Sequence, residues 1–310
     1  MSEPKPRSLL SVSDISAREL SGMLERMKSL KPAIRRREPL TDLRGRMVGL
    51  LFEKPSTRTR TSFEVATARL GGFPVYLASD ELQSSRGEPV KDTARILGGY
   101  LDVIVGRVYS HSTLVEMAEH SGVPVLNGLS DLEHPTQVIS DLFTIAETKG
   151  KLRGLTLAFI GDGGNVCNSL LLGASLVGMN MVAACPPGYT PDEEVLRRAE
   201  ENARRSGCTV RVVDDPKEAA VDSDVVYTDV WVSMGEEKET KKRLRAFRGF
   251  QVNSETLKLA SKDAVVMHCL PAHRGLEITD DVIEGKQSVV WTQGENKLYG
   301  AAVALGFVTS

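Results

Sequence analysis

The sequence predicts an α/β protein built as two doubly wound units, each a parallel sheet with helices on both faces. Three observations predict it. Short β-branched runs alternate with amphipathic, helix-like segments along almost the whole chain. The runs are apolar throughout, the pattern of strands buried on both faces. Ten such runs in 310 residues would make a large single sheet, so the chain divides in two.

In the first half the candidate strands are 47–52 (MVGLLF), 75–78 (VYLA), 103–108 (VIVGRV) and 123–128 (VPVLNG). In the second half they are 155–161, 181–185, 210–214, 225–230, 264–270 and 289–291, the last being the short run VVW. A helix follows Ser56, where Phe63, Ala66 and Leu70 recur at helical spacing and Gly71-Gly72 supplies the stop. Further helices are expected at 89–100, 135–148, 192–205 and 236–247, with a last one near the C-terminus. The charged, glycine-bearing stretch ETKGKLRGL (147–155) is the natural boundary.

Composition narrows the function. The net charge of -2 gives no field for nucleic acid. No apolar run reaches the roughly 18 residues of a membrane span, and the N-terminus lacks an apolar signal core, so a cytoplasmic location is expected. The cysteines at 167, 185, 208 and 269 form no C-x-x-C pair, and the five histidines show no metal-binding spacing. His268 and Cys269 are neighbours and on a strand would point to opposite faces, so no metal site is expected there.

In sheets of this class ligands sit beyond the carboxyl ends of the strands, which directs attention to the loops that follow them. After 47–52 comes EKPSTRTR: Lys54, Arg58 and Arg60 crowd a helix N-terminus, where cations have the wrong sign. An anion at Ser56, Thr57, Arg58 and Thr59 would make the arrangement favourable, through hydroxyls, helix-terminal N–H groups and a guanidinium fork. Arg60 turns away from that point and is expected to face a protein carboxylate. Arg107, at the end of the third run, either pairs with a buried carboxylate or faces a ligand. His134 precedes Pro135 and is held extended before a helix whose first turn carries Gln137.

In the second half, FIGDGGNVCNSLL lacks the G-x-G-x-x-G spacing, and no acidic residue follows at the ribose-binding distance, which argues against a dinucleotide site. Asn165 at the helix start suits a carboxylate. Asp229, followed by Ser233-Met234-Gly235, suits an ammonium ligand or forms an Asx turn. In HCLP the Cys269 thiol is a candidate nucleophile and its carbonyl a candidate acceptor.

Taken in order, FEKPSTRTRTSFE, LQSSRGE, HPTQ, DVWVSMG and HCLP resemble the ornithine carbamoyltransferase family across essentially the whole chain. The resemblance implies a carbamoyl phosphate domain over 1–149, to which a C-terminal helix near 292–310 returns, and an L-ornithine domain over 150–291, with the active site in the cleft between them. Carbamoyl phosphate would be bound by Ser56, Thr57, Arg58, Thr59, Arg107, His134, Gln137, Lys297, the carbonyls of Cys269 and Leu270, and Gln83 from a neighbouring subunit of a homotrimer. L-ornithine would be bound by Asn165, Asp229, Ser233 and Met234. Arg58, Thr59, Arg107, His134, Asp229 and Cys269 would be the catalytic set, with no cofactor or metal, no nucleic acid and no membrane involved. Two departures stand out. Gly164 replaces the more usual first Asn of G-D-G-N-N, and Lys297 replaces the usual Arg, losing a planar fork but not a charge. The charged segment after Gly235 is expected to act as a flap over ornithine.

Overall fold

A computed structural model of the chain describes residues 6–78, 82–232 and 237–310. The chain forms two compact units, Met1–Ser140 with Lys297–Ser310, and Asp141–Asn296.

The first unit contains strands β1 (Met47–Phe52), β2 (Phe73–Ala78), β3 (Val103–Arg107) and β4 (Val125–Leu129), and helices α1 (Ala17–Arg35), α2 (Thr57–Arg69), α3 (Val90–Gly98) and α4 (His111–His120). Helix α5 (Pro135–Lys149) starts in it. The sheet is parallel, ordered β2-β1-β3-β4. Leu51, Ile104, Val108, Leu114, Met117 and Val125 form a core cluster between sheet and helices, each buried side chain contributing about 1.5–3 kcal/mol. Ser16 caps α1 reciprocally with Glu19. The backbone N–H of Ser16, followed by the Arg7 guanidinium, draws the Glu19 carboxyl down to about 2.

The second unit contains β5 (Thr156–Ile160), β6 (Asn180–Ala184), β7 (Val210–Val213), β8 (Val225–Thr228) and β9 (Val265–His268). They form a five-stranded parallel sheet ordered β7-β6-β5-β8-β9. Its helices are α6 (Asn165–Val177), α7 (Glu193–Ser206), α8 (Pro216–Ala220), α9 (Thr240–Ala246), α10 (Ser254–Leu257) and α11 (Asp280–Ile283). Its core gathers Ile160, Trp231, Phe247, Val266, Ile278 and Ile283 among others. The helices cover two parallel sheets, as expected from the apolar runs.

Helix α12 (Val290–Thr309) crosses from the second unit into the first. Sequence reading expected a strand at 289–291. Only Ser288 pairs, through an isolated bridge to Val266, after which Val290 is buried as the first residue of a helix. In the first unit Gly300 lies so close to α5 that a Cβ would sit 2.0 Å from the Ser140 hydroxyl. Among the described residues no helix is long and apolar enough to cross a membrane.

Candidate active site

In the first unit the loops after β1, β3 and β4 leave the same edge of the sheet. The first becomes α2 at Ser56, whose backbone is extended and whose hydroxyl accepts the Thr59 N–H at 3.2 Å. That bond satisfies one first-turn donor and leaves the Ser56 O–H hydrogen able to point elsewhere. Thr59 is buried, Arg58 half-buried and Thr57 exposed.

Two of the three puzzling cations meet an aromatic ring. Arg60 bonds Glu64 at 2.9 Å and lies 3.4 Å over the Tyr76 ring, and so faces a protein carboxylate as expected. Lys54 is buried with its ammonium 4.6 Å over the Tyr109 ring. A cavity of about 760 Å³ opens on the face carrying Ser56, Thr57 and Arg60.

Arg107 closes β3 beside a register shift, and its carbonyl accepts the Glu53 N–H at 2.8 Å, tying the ends of β3 and β1 together. Glu53, which sequence reasoning passed over, accepts the Tyr109 N–H at 2.6 Å and so shapes the loop after β3. His134 is 4% exposed. Burial pushes its imidazole well below the usual histidine value, and Lys297 and Arg107 push it further. It is therefore neutral and keeps a single N–H to donate. The Lys297 ammonium donates to the Gln137 side-chain oxygen, in the first turn of α5. The structure thus gathers buried His134, Gln137 and Lys297 with half-buried Arg107 into one polar group, although Lys297 lies 160 residues from Gln137. Gln83 is exposed on a short 3-10 helix, Gln83–Arg86, which follows β2.

In the second unit Gly164 precedes α6, and half-buried Asn165 opens it. Gly163 is required by close approach: a Cβ there would lie 2.3 Å from the Pro191 nitrogen. Gly164 is not so constrained, since its nearest contact would be Asp162 at 3.5 Å. Asp162 pairs with the buried Arg243 of α9 at 2.9 Å, and Arg243 also donates to the Trp231 carbonyl at 3.0 Å. Ser233, Met234 and the start of the expected flap lie outside the described residues.

Asp229 follows β8. Its carboxylate accepts the Val230 N–H at 2.7 Å and the Cys269 thiol at 2.9 Å. The carboxylate thus binds the adjacent amide and the turn after β9, where the other reading was an Asx turn with the amide two residues on. The ligand atoms of Asp229, His268 and Cys269 lie within 4.8 Å of one another. This corrects the expectation that His268 and Cys269 diverge: β9 ends at His268, so Cys269 already belongs to the turn. The cluster is nonetheless ill suited to a metal. His268 Nδ1 accepts the Leu270 N–H at 2.9 Å and Nε2 lies 3.1 Å from Glu277, which leaves no ring lone pair to coordinate.

Comparison with known proteins matches one family model to each half of the chain. The sequence model described as the carbamoyl-P binding domain of aspartate/ornithine carbamoyltransferase matches residues 7–147. The Asp/Orn binding domain of the same description matches residues 153–306. The chain is 52% identical over 300 residues to an ornithine carbamoyltransferase of Archaeoglobus fulgidus, covering 96% of each. It is 47% identical to a Pyrococcus furiosus protein named as the anabolic ornithine carbamoyltransferase, covering 97% of this chain and 96% of the relative. The solved structure of ornithine carbamoyltransferase from Pyrococcus furiosus superposes with a TM-score of 0.93 at 47% identity, over 97% of this chain and 96% of that one.

Proposed function

The chain belongs to the aspartate/ornithine carbamoyltransferase family, and from that premise we propose that it transfers the carbamoyl group of carbamoyl phosphate to the δ-amine of L-ornithine, giving L-citrulline and phosphate. The observation that carries the reading is the group formed by Arg107, neutral His134 and Gln137, within the region matched by the carbamoyl-P binding model, which Lys297 of α12 joins through Gln137.

The first unit binds carbamoyl phosphate. Ser56, Thr57, Arg58 and Thr59 surround its phosphate at the start of α2, where the helix dipole and first-turn N–H groups favour an anion. Arg107, His134, Gln137 and Lys297 hold the carbamoyl end, and Gln83 reaches the site of a neighbouring subunit in a homotrimer. The second unit binds L-ornithine: Asn165 takes the carboxylate, while Asp229, Ser233 and the Met234 main chain orient the amino groups.

The δ-ammonium of free ornithine has a pKa near about 10.4 and must lose a proton before it attacks. Removal from water favours the neutral amine. As it adds to the carbamoyl carbon, negative charge grows on the oxygen, where Thr59, Arg107 and His134 donate. A single well-placed donor of this kind contributes about 2.7–4 kcal/mol. Because His134 is neutral, it donates a hydrogen bond without taking the incoming proton's place as a fixed charge. The C–O bond to phosphate then breaks with its electron pair going to the phosphate oxygen, which takes the proton released by the amine and leaves as the hydrogen phosphate dianion. Main-chain carbonyls of Cys269 and Leu270 accept from the carbamoyl NH₂ or the incoming amine. The word anabolic in the name of the Pyrococcus furiosus relative supports the citrulline-forming direction, as a step of arginine biosynthesis.

A colorimetric citrulline assay on the purified chain tests the proposal. Ornithine and carbamoyl phosphate should yield citrulline, and Arg58→Ala should lower kcat/KM by about 10²- to 10³-fold. No citrulline from the wild-type chain refutes the activity, and an unaffected variant refutes the phosphate site.

A further inference from the structure

The turn that leaves β9 is held by side chains that the proposed chemistry does not use. Leu270 has φ of +59°, the left-handed region that a non-glycine residue enters only when its surroundings impose it. Its N–H donates to His268 Nδ1 at 2.9 Å, a side-chain acceptor reaching the amide two residues on. A backbone N–H can only donate, so Nδ1 carries the lone pair and the ring proton must be on Nε2. Nε2 faces Glu277 at 3.1 Å, which accepts that proton. Both side chains are completely buried. Glu277 also accepts the His273 N–H on the far side of the turn, and its second oxygen has no hydrogen-bond partner among the described residues. From behind, the His268 N–H donates to Gln293 at 2.9 Å.

We propose that His268, fixed in its Nε2–H tautomer by Glu277, is a positioning residue that holds Leu270 in the left-handed turn and so aims the carbonyls of Cys269 and Leu270 at substrate. This rests on the carbamoyl-transfer reading given above, and gives the histidine of HCLP a role that does not require it to touch a substrate. A burial role alone would ask only for an apolar side chain of similar size. A fully buried carboxylate with one unsatisfied oxygen is costly, and its retention next to the ring is accounted for by selection of one tautomer.

The test separates the acceptor from the packing. Asn at 268 places Oδ1 where Nδ1 stands and keeps the bond to the amide two residues on, as in an Asx turn. Leu fills the space and accepts nothing. Both lose the bond to Glu277, so both lose stability. His268→Asn should retain a kcat at least about tenfold above that of His268→Leu, the worth of one hydrogen bond at the reacting groups. A smaller ratio overturns the proposal. Nitrogen-15 NMR of histidine-labelled wild-type protein should show His268 protonated on Nε2 alone. In Glu277→Ala only the Leu270 N–H still selects the tautomer, so an Nδ1-protonated fraction should appear there and stay absent in Glu277→Gln, which keeps an acceptor. A proton on Nδ1 in the wild type, or an unchanged tautomer in Glu277→Ala, overturns it independently of activity. Wild-type protein that makes no citrulline defeats the reaction assigned above, while the NMR result still decides the tautomer.

Discussion

Replacing Arg243 with Met tests whether the segment after β8 is held by charge or by packing. The guanidinium, 8% exposed, bonds Asp162, itself 15% exposed, at 2.9 Å and the Trp231 carbonyl at 3.0 Å, and stacks 4.9 Å from the Tyr189 ring centroid. Met retains much of the apolar stem but leaves the Asp162 carboxylate without this partner. Removing one member of a buried pair costs about 3–5 kcal/mol, and the remaining water access of Asp162 favours the lower end. At about 2–4 °C per kcal/mol for a unit of this size, Tm should fall by about 6–12 °C. Asp162 opens the glycine turn that leads to Asn165, so the KM for ornithine should rise more than kcat falls. Calorimetry of Arg243→Met, Asp162→Asn and the double variant closes a thermodynamic cycle, and the double variant should be less damaged than the sum by about 1.5–3 kcal/mol. A Tm within about 2 °C of wild type, or strict additivity, refutes the assignment of the pair as the fastening.

Three further outcomes are expected. His134 is neutral in the folded chain but takes up a proton near pH 6.5 when unfolded. The unfolded state therefore binds more protons below that value, and stability falls with acidification by up to about 1.4 kcal/mol per pH unit. Urea titrations across this range should show that slope reduced in His134→Gln. Gly163→Ala drives a Cβ to 2.3 Å from the Pro191 nitrogen and 2.4 Å from the Thr190 carbonyl carbon. These backbone atoms cannot swing aside, so it should cost about 1–3 kcal/mol or more by chemical denaturation, while Gly164→Asn is tolerated. Tyr227→Phe removes the hydroxyl that donates to buried Asp141 at 2.9 Å and lies 3.0 Å from Gln293. Thermal unfolding should register a loss of about 1.5–3 kcal/mol.

What the sequence made legible was local. Apolar runs such as MVGLLF, and a Ser-capped helix entry followed by Phe63 and Ala66, carry their own periodicity, so strands and helices stand where the pattern put them. The wrong-signed cations singled out the loop after β1, and helical spacing already separated Arg60, which meets Glu64, from Arg58. The run Val289-Val290-Trp291 misled because β-branched residues also serve at a buried helix start, where packing overrides propensity. The fate of Lys54 on Tyr109 depended on a loop 55 residues away. The pairs Asp162–Arg243 and His268–Glu277 were invisible for a related reason. One spans 81 residues, and the other depends on a strand ending one residue before a cysteine. Periodicity carries no information about which distant charge a buried group will meet.

Strand β2 ends its sheet and so presents an open row of peptide groups, the arrangement that invites uncontrolled growth by strand addition. Two residues limit the hazard. Pro74 has no N–H to offer an incoming strand, and Arg60 lays a charged plane across Tyr76 midway along. Exchanging Pro74 for Val and Arg60 for Leu would remove both obstacles that this edge sets against an incoming strand. In that sense Arg60, already paired with Glu64, also guards the edge of its sheet.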